Sequence, residues 1–394
     1  MARVPTIGQV TKYLRQILGD SKIKVTYFGP LGQSGARTKK ESLKTLGYGV
    51  PYLVVYRTKG KERESIISTM RIGQGFGHDF RADRIDNVVL SFDTWRNLPD
   101  HVKAQDFGAF DKKNSEMISL GRSGEFFLLR QKISGVEYYR DLDRIFKEEE
   151  LHELDVRRAE ALAEYLAKIH SIKNEKPERM DLYARKIRDT IGHGECIMGL
   201  ADSYPSDTEN YLAKYELETI EKKCVSHRWK LRSRSSRLSQ VHGDFHPWNI
   251  LFTEKSSSFK LLDRSRGEWG EPADDVCALS MNYIFYSLRK YHELHGPFLR
   301  LYNSFIEKYI ASSKDPAIYE AMPLFYTFRA LVIASPLWYP SLEDKTRRKI
   351  FNFAQNVLDA GTFDPEKVND YLSNPVAAEG PAQLGDEEDE EEQQ

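Results

Sequence analysis

The stretch Val241-His-Gly-Asp-Phe-His-Pro-Trp-Asn-Ile-Leu-Phe252, followed closely by Phe259-Lys-Leu-Leu-Asp263, decides how this chain is interpreted. Asp244 and Asn249 lie five residues apart on a predicted loop, and the apolar runs that flank the loop predict two short strands. The second strand ends at another carboxylate, Asp263. The pattern therefore predicts that two neighbouring segments bring three oxygen-bearing side chains to one place.

These residue types suit the transfer of a phosphoryl group. The reaction needs a group that accepts or orients the proton of the attacking hydroxyl, and oxygen ligands for a magnesium ion that neutralises charge on the phosphates. Positioning and electrostatics supply most of the rate. A single Asp or Asn in a turn more often serves local hydrogen bonding, but the combination with a carboxylate at a strand end favours a catalytic loop. We interpret His242 and His246 as braces of this loop rather than as bases or ligands.

The loop resembles that of the aminoglycoside phosphotransferase family, which also includes choline, homoserine, fructosamine and methylthioribose kinases. His242-Gly-Asp-Phe-His-Pro-Trp-Asn249 matches the family pattern His-Gly-Asp-x-His-x-x-Asn at every fixed position. The resemblance implies an ATP-dependent kinase of hydroxylated small molecules, in which Asp244 is the catalytic base and Asn249 and Asp263 hold Mg²⁺. It also implies an α+β, bilobal protein-kinase-like fold, with a small antiparallel-sheet N-lobe and a mainly helical C-lobe.

Two further segments resemble the family less specifically. Gly270-Glu-Pro-Ala-Asp-Asp-Val-Cys-Ala278 is similar to a family segment in which Asp275 would brace the catalytic loop, although capping of the following helix also explains an acidic residue there. Phe127-Leu-Leu-Arg-Gln-Lys-Ile-Ser-Gly135 resembles the hinge strand whose backbone receives adenine. This second resemblance implies nucleotide contacts by Gln131 and Ile133.

The N-terminal region departs from the family at its phosphate-binding side chains. The family uses a Lys on the third strand, held by a Glu on the next helix, whereas the matching strand here offers Arg71 and the helix after it offers only Asp residues. Arg71 is either a replacement phosphate clamp or a solvated side chain at a strand end. Gly32 and Gly35 permit close approach of backbone to phosphates, and their turn is either a lid over the nucleotide or an exposed loop.

A second departure follows the predicted metal ligand, in Asp263-Arg-Ser-Arg-Gly267. The guanidinium groups of Arg264 and Arg266 would stabilise charge on the transferred phosphate or bind an anionic substrate. Alternatively, they pair with Glu268 and Glu271. The sequence leaves these alternatives open.

Hydrophobic periodicity divides the chain into three regions. Strand-like runs and a helix predict a sheet-rich N-lobe over residues 1–134, and helical periodicity predicts a C-lobe over residues 135–372. The family resemblance implies that the N-lobe binds the nucleotide and that the C-lobe holds the catalytic loop and the substrate pocket. Residues 373–394 contain an acidic run and predict a disordered tail. The runs expected to form the small sheet are residues 23–28, 50–56, 65–72, 102–110 and 125–133.

Composition favours a globular cytoplasmic protein. The last sixteen residues hold eight of the 59 acidic side chains, so the rest of the chain carries 58 basic against 51 acidic residues. This excess suits anionic ligands such as nucleotides but is too weak to predict nucleic acid binding. We expect no membrane partner either, because no apolar run is long enough to span a bilayer. Three cysteines without paired spacing predict reduced thiols. A catalytically weak, kinase-like nucleotide-binding regulator is the alternative to an active phosphotransferase, and the oligomeric state is left open.

Overall fold

The computed structural model describes residues 4–31, 49–70, 77–95, 99–114, 116–206, 208 and 210–375. The chain divides into two units, Met1–Gln131 and Lys132–Gln394. Within the described ranges, no helix is both long and apolar enough to cross a membrane. Arg71, Gly32, Gly35 and the acidic part of the predicted tail lie outside the described residues.

The first unit combines two helices with antiparallel strands. In chain order its elements are α1 (Ile7–Leu18), β1 (Lys24–Pro30), β2 (Gly49–Thr58), β3 (Lys61–Met70), α2 (Arg81–Thr94), β4 (Gly108–Phe110) and β5 (Met117–Ser119). Strands β1, β2 and β3 form one sheet in that order, and β4 pairs with β5. The predicted small antiparallel sheet is therefore confirmed.

Local sequence explains where these elements begin and end. Helix α1 starts with a capping box between Thr6 and Gln9 and ends at Gly19, whose φ of 64° favours glycine. Lys59 and Gly60 connect β2 to β3, and both have positive φ, as a two-residue hairpin turn requires. Apolar side chains of α1 pack with those of β1 and β2 in a small core.

The strand predicted at residues 125–133 is wrong. Residues 123–135 form neither helix nor strand, and Phe127, Leu128 and Leu129 are 93%, 87% and 90% exposed. Their apolar character predicts a strand, but a strand forms only where a neighbouring strand pairs with its backbone groups. No described strand does so here. Gln131 and Ile133 therefore lack the strand that was expected to carry them, and their adenine contacts stay predictions.

The second unit is mainly helical, as predicted. In chain order its elements are β6 (Val136–Glu137), α3 (Tyr139–Glu148), α4 (Glu153–His170), α5 (Arg179–Gly192), α6 (Ile197–Asp202), α7 (Lys214–Leu231), β7 (Ser239–Gln240), β8 (Ile250–Phe252), β9 (Phe259–Leu261), β10 (Trp269–Gly270), α8 (Pro272–Tyr291), α9 (Gly296–Ser313), α10 (Met322–Ala334), α11 (Asp344–Ala360) and α12 (Val368–Tyr371). Strand β8 lies between β6 and β9 in one antiparallel sheet, and β7 pairs with β10.

Two nearly fully buried helices, α8 and α10, form the centre of this unit. Nearly all side chains of α10 are buried, as are those of α8 up to Leu288 except Asp274. A helix that is buried on all sides must be surrounded by other elements, and α9 and α11 belong to the same core cluster. Because α8 and α10 are so deeply buried, the few polar side chains that they carry must find partners inside the unit.

Candidate active site

The catalytic loop joins β7 to β8 and is held by backbone hydrogen bonds to the strand that follows. Asn249 ends a short 3₁₀-helix, Pro247–Asn249, directly before β8. Strand β8 pairs with β9, and the N–H of Leu262 donates to the carbonyl oxygen of Asn249 at 2.9 Å. Asp263 is the next residue, so strand pairing brings Asn249 and Asp263 close together, as the sequence predicts.

Both of these residues present oxygen atoms that nothing else in the described chain uses. The Nδ2 of Asn249 donates to the carbonyl oxygen of Asp244 at 3.1 Å, and its Oδ1 has no hydrogen bond to a residue that the structure describes. The carboxylate of Asp263 is exposed and has no hydrogen bond or ion pair to any described residue. Among the described residues, no cluster of three or more His, Cys, Asp or Glu could hold a metal. Mg²⁺ in kinases needs only one or two protein oxygens beside phosphates and water, so this pair fits it.

Asp244 is held by an arginine that the sequence did not reveal. Its Oδ1 accepts a hydrogen bond from Nη1 of Arg329 at 2.8 Å, and Nη2 of Arg329 binds Oδ1 of Asp274 at 2.7 Å. Arg329 lies on α10 and is only 6% exposed. A lone charge in the apolar helix Met322–Ala334 is the signal that would have identified it, since such a charge must be paired.

The surroundings of Asp244 keep its carboxylate ionised. Burial alone would raise its pKa, but the hydrogen bond from His246 and the positive charge of Arg329 outweigh burial and hold the pKa well below its usual range. Burial would lower the pKa of Arg329, but the negative charges of Asp274 and Asp244 outweigh burial and raise it. About a fifth of the Asp244 side chain remains exposed. A substrate hydroxyl can therefore reach a carboxylate whose position and charge are fixed.

The two histidines of the loop act as braces, as predicted. The Nδ1 of His242 accepts the N–H of Asp244 at 3.3 Å, and its Nε2 donates to the carbonyl oxygen of Leu262 at 2.9 Å. The Nδ1 of His246 accepts the N–H of Trp248 at 3.2 Å, so its proton lies on Nε2, which is 3.3 Å from Oδ2 of Asp244. Each ring thus connects a backbone N–H to a partner near the site.

Asp275 fixes the start of the loop from within α8. Its two carboxylate oxygens accept the N–H groups of His242 and Gly243, each at 2.7 Å, and Oδ2 also lies 3.2 Å from Nε2 of His170. Burial would raise the pKa of Asp275, but the hydrogen bond and charge of His170 outweigh burial and lower it. Gly243 has a φ of 88°, a conformation that suits glycine. The bracing role expected of Asp275 is therefore what the geometry provides.

The two arginines after Asp263 have different environments. Arg264 donates from Nε and Nη2 to the carbonyl oxygen of Val241, at 3.0 and 2.7 Å, so its guanidinium stabilises the loop backbone. The guanidinium of Arg266 lies over the ring of Phe328, with its central carbon 4.8 Å from the ring centroid. Arg266 makes no ion pair with a described residue.

The alternative pairing with Glu268 and Glu271 is wrong for both arginines. The carboxylate of Glu268 accepts a hydrogen bond from the indole of Trp269 instead. The carboxylate of Glu271 binds the guanidinium of Arg237, at 2.6 to 3.0 Å. Residues beyond the local segment compete for these carboxylates, which local sequence cannot show.

Comparison with solved structures gives distant similarities. A Plasmodium vivax ethanolamine kinase is 12% identical, with 82% of this chain and 81% of that chain covered and a TM-score of 0.37. An amicoumacin kinase in complex with AMP-PNP and Ca²⁺ is 16% identical, with 81% and 89% covered and a TM-score of 0.39. A spectinomycin phosphotransferase in complex with ADP and spectinomycin is 12% identical, with 94% and 98% covered and a TM-score of 0.31.

Comparison with models of protein families gives a match to part of the chain. No curated protein matches the chain. A family model does, however, match residues 115–285, a segment that contains Asp244, Asn249, Asp263 and Asp275. Its description is the phosphotransferase enzyme family, APH. Residues 115–285 therefore match the phosphotransferase enzyme family, which confirms the resemblance that the catalytic loop predicts.

Proposed function

We propose that this protein transfers the γ-phosphoryl group of ATP to a hydroxyl group of a small molecule, with Asp244 as the catalytic base. The observation that supports this most strongly is the position of Asp244 between two sets of partners. Arg329 fixes one carboxylate oxygen, while Asn249 and the neighbouring Asp263 present unused oxygen atoms close to the same loop. The family match to residues 115–285 favours the same activity.

In the proposed reaction, the substrate hydroxyl donates a hydrogen bond to the carboxylate of Asp244. As the substrate oxygen bonds to the γ-phosphorus, the bond from that phosphorus to the bridging oxygen of ADP breaks, and the hydroxyl proton moves to Asp244. The low pKa of Asp244 makes it a weak base, so it mainly orients the hydroxyl and accepts the proton late. Loose transition states of phosphoryl transfer suit such a base, since little proton transfer is needed early.

Asn249 and Asp263 would hold the magnesium ion through Oδ1 and a carboxylate oxygen. A bound Mg²⁺ neutralises charge on the bridging phosphate oxygens. Asn249 has a second function, because its Nδ2 fixes the backbone carbonyl of Asp244. ATP as donor, Mg²⁺ as metal and a cytoplasmic location are parts of this proposal, and the three buried free thiols favour a reducing compartment.

The test is ATP consumption by purified wild type and Asp244→Asn over a panel of amino alcohols, sugars and aminoglycosides. The Asn side chain keeps the size of Asp but accepts no proton, so we expect turnover to fall by about 100- to 10,000-fold with nucleotide binding retained. Asp370→Asn, on the exposed face of α12, is the matched control and should behave as wild type. Equal turnover by wild type and Asp244→Asn would refute the role of Asp244. Binding of Mg-ATP without turnover by wild type would favour the nucleotide-binding regulator instead.

A further inference from the structure

Arg266 is a cation beside the catalytic loop that forms no ion pair within the part of the chain that the structure describes. Its guanidinium and that of Arg329 both lie over the ring of Phe328, at 4.8 and 4.6 Å from the centroid. Arg329 binds two carboxylates, whereas Arg266 makes no ion pair or side-chain hydrogen bond with any residue that the structure describes. Stacking on Phe328 holds the guanidinium in place and leaves its N–H groups available.

The location of Arg266 places this charge near the base. A Cβ atom added to Gly243 would be 3.2 Å from Cβ of Arg266, so the arginine packs against the residue that precedes Asp244. The positive charge of Arg266 also helps to lower the pKa of Asp244. An anionic group bound by Arg266 would therefore lie close to the position where a substrate hydroxyl meets Asp244.

A second basic residue, Lys186, contacts the backbone of Arg266. Lys186 of α5 donates a hydrogen bond to the backbone carbonyl of Arg266, and burial lowers the pKa of Lys186. This contact anchors the backbone of Arg266 to α5. Because the backbone is anchored and the guanidinium is stacked, Arg266 is already ordered for binding.

The side chain of the neighbouring Arg264 has different hydrogen-bond partners from that of Arg266. Its Nε and Nη2 donate to the backbone carbonyl oxygens of Val241 and Glu268, so these two nitrogens stabilise the loop backbone. An ordered guanidinium without a carboxylate partner is a suitable binding group for a carboxylate or phosphate, which it binds with two parallel hydrogen bonds.

We propose that Arg266 binds an acid group of the phosphoryl acceptor, so that the acceptor is a small molecule with both a hydroxyl and a carboxylate or phosphate group. This inference rests on the proposed function and specifies its substrate class. It assigns Arg266 to acceptor specificity and Arg264 to the structure of the loop.

Calorimetric titration of the full chain saturated with Mg-AMP-PNP tests the proposal. The probes are matched pairs: D-glycerate and glycerol 3-phosphate against glycerol, and D-gluconate and glucose 6-phosphate against glucose. We expect at least one acid to bind wild type more tightly than its neutral partner. Arg266→Gln should weaken that acid by about 10- to 100-fold, because a charge-assisted bidentate contact is lost. Arg266→Lys keeps the positive charge but loses the two parallel N–H donors of the guanidinium, so it should bind the acid with an intermediate affinity.

The control variant is Arg232→Gln, which removes an exposed arginine that also lies over an aromatic ring, that of Trp229 at 4.4 Å. It should bind the acids as wild type does. Unchanged Mg-AMP-PNP affinity in Arg266→Gln shows that the variant is folded. The inference is overturned if neutral probes bind as tightly as the acids, if Arg266→Gln binds the acid as wild type does, or if no acid binds. If wild type does not bind Mg-AMP-PNP, the proposed function is overturned as well. If wild type binds Mg-AMP-PNP but no acid, only the inference about the acceptor is overturned.

Discussion

Replacing Arg329 with methionine removes the group that joins Asp244 to Asp274 and leaves two carboxylates without their common partner. Arg329 donates to them at 2.8 and 2.7 Å and is 6% exposed. A hydrogen bond to a charged group contributes about 1.5–3 kcal/mol, and removal of one partner from a buried ion pair costs about 3–5 kcal/mol. We therefore expect Arg329→Met to lower the free energy of unfolding of the second unit by about 3–5 kcal/mol.

Urea unfolding followed by tryptophan fluorescence measures this loss. Trp229, Trp248, Trp269 and Trp338 lie in the second unit, so they report on it, and only Trp95 lies in the first. A double-mutant cycle with Asp274→Leu isolates the coupling, since the double variant leaves only Asp244 unpaired. The double variant should lose less than the sum of the single variants, by about 1–3 kcal/mol. Additive losses, or a loss below about 1 kcal/mol in Arg329→Met, would refute the reasoning.

Two further predictions concern the catalytic loop and the helical core. Gly243→Ala should lower the free energy of unfolding by about 1–3 kcal/mol and also lower turnover, because alanine is strained at a φ of 88° and its Cβ would be 3.2 Å from that of Arg266. Thermal unfolding and ATP consumption are compared with those of Gly124→Ala, where an added Cβ meets nothing within 4 Å. Equal behaviour of the two variants would contradict the prediction. His227 of α7, whose Nε2 donates to the carbonyl oxygen of Leu358 at 2.9 Å, has its pKa lowered by burial, so the unfolded chain binds the proton more readily and stability falls as the pH drops below about 6.5. His227→Gln should therefore show a smaller loss of stability between about pH 7 and pH 5 than wild type, and an equal loss in both proteins would count against it.

The catalytic loop is predictable from sequence because its parts are local. Asp244, Asn249 and Asp263 lie within one loop and two adjacent strands, so residue spacing and strand pairing alone bring them together. Asp275 follows soon after at the start of α8 and contacts the same loop. Because these residues are close in sequence, their arrangement can be predicted without knowledge of the rest of the fold.

Arg329 is not predictable in the same way. It lies 85 residues after Asp244, and only the packing of α10 in the second unit brings the two side chains together. The same holds for Arg264 and Arg266, which look alike in sequence but differ in what tertiary structure places beside them. Position along the chain carries no information about such contacts.

Short apolar runs predict strands less reliably than helical periodicity predicts helices. Residues 126–129 have the composition of a strand, yet strand formation depends on a partner edge that sequence does not specify. Helical periodicity is a better guide, since the hydrogen bonds of a helix are internal. The sequence predicts helices over residues 151–172, 274–294 and 323–335, and α4, α8 and α10 lie within a few residues of these ranges.

The affinity for AMP-PNP with and without Mg²⁺, measured by calorimetry in wild type and Asp263→Asn, tests the central claim most directly. If Asp263 and Asn249 hold the metal beside the nucleotide phosphates, wild type binds AMP-PNP more tightly with Mg²⁺, and Asp263→Asn loses most of that gain while Asp370→Asn keeps it. An affinity that does not depend on Mg²⁺, or a gain that is the same in Asp263→Asn as in wild type, would contradict the account.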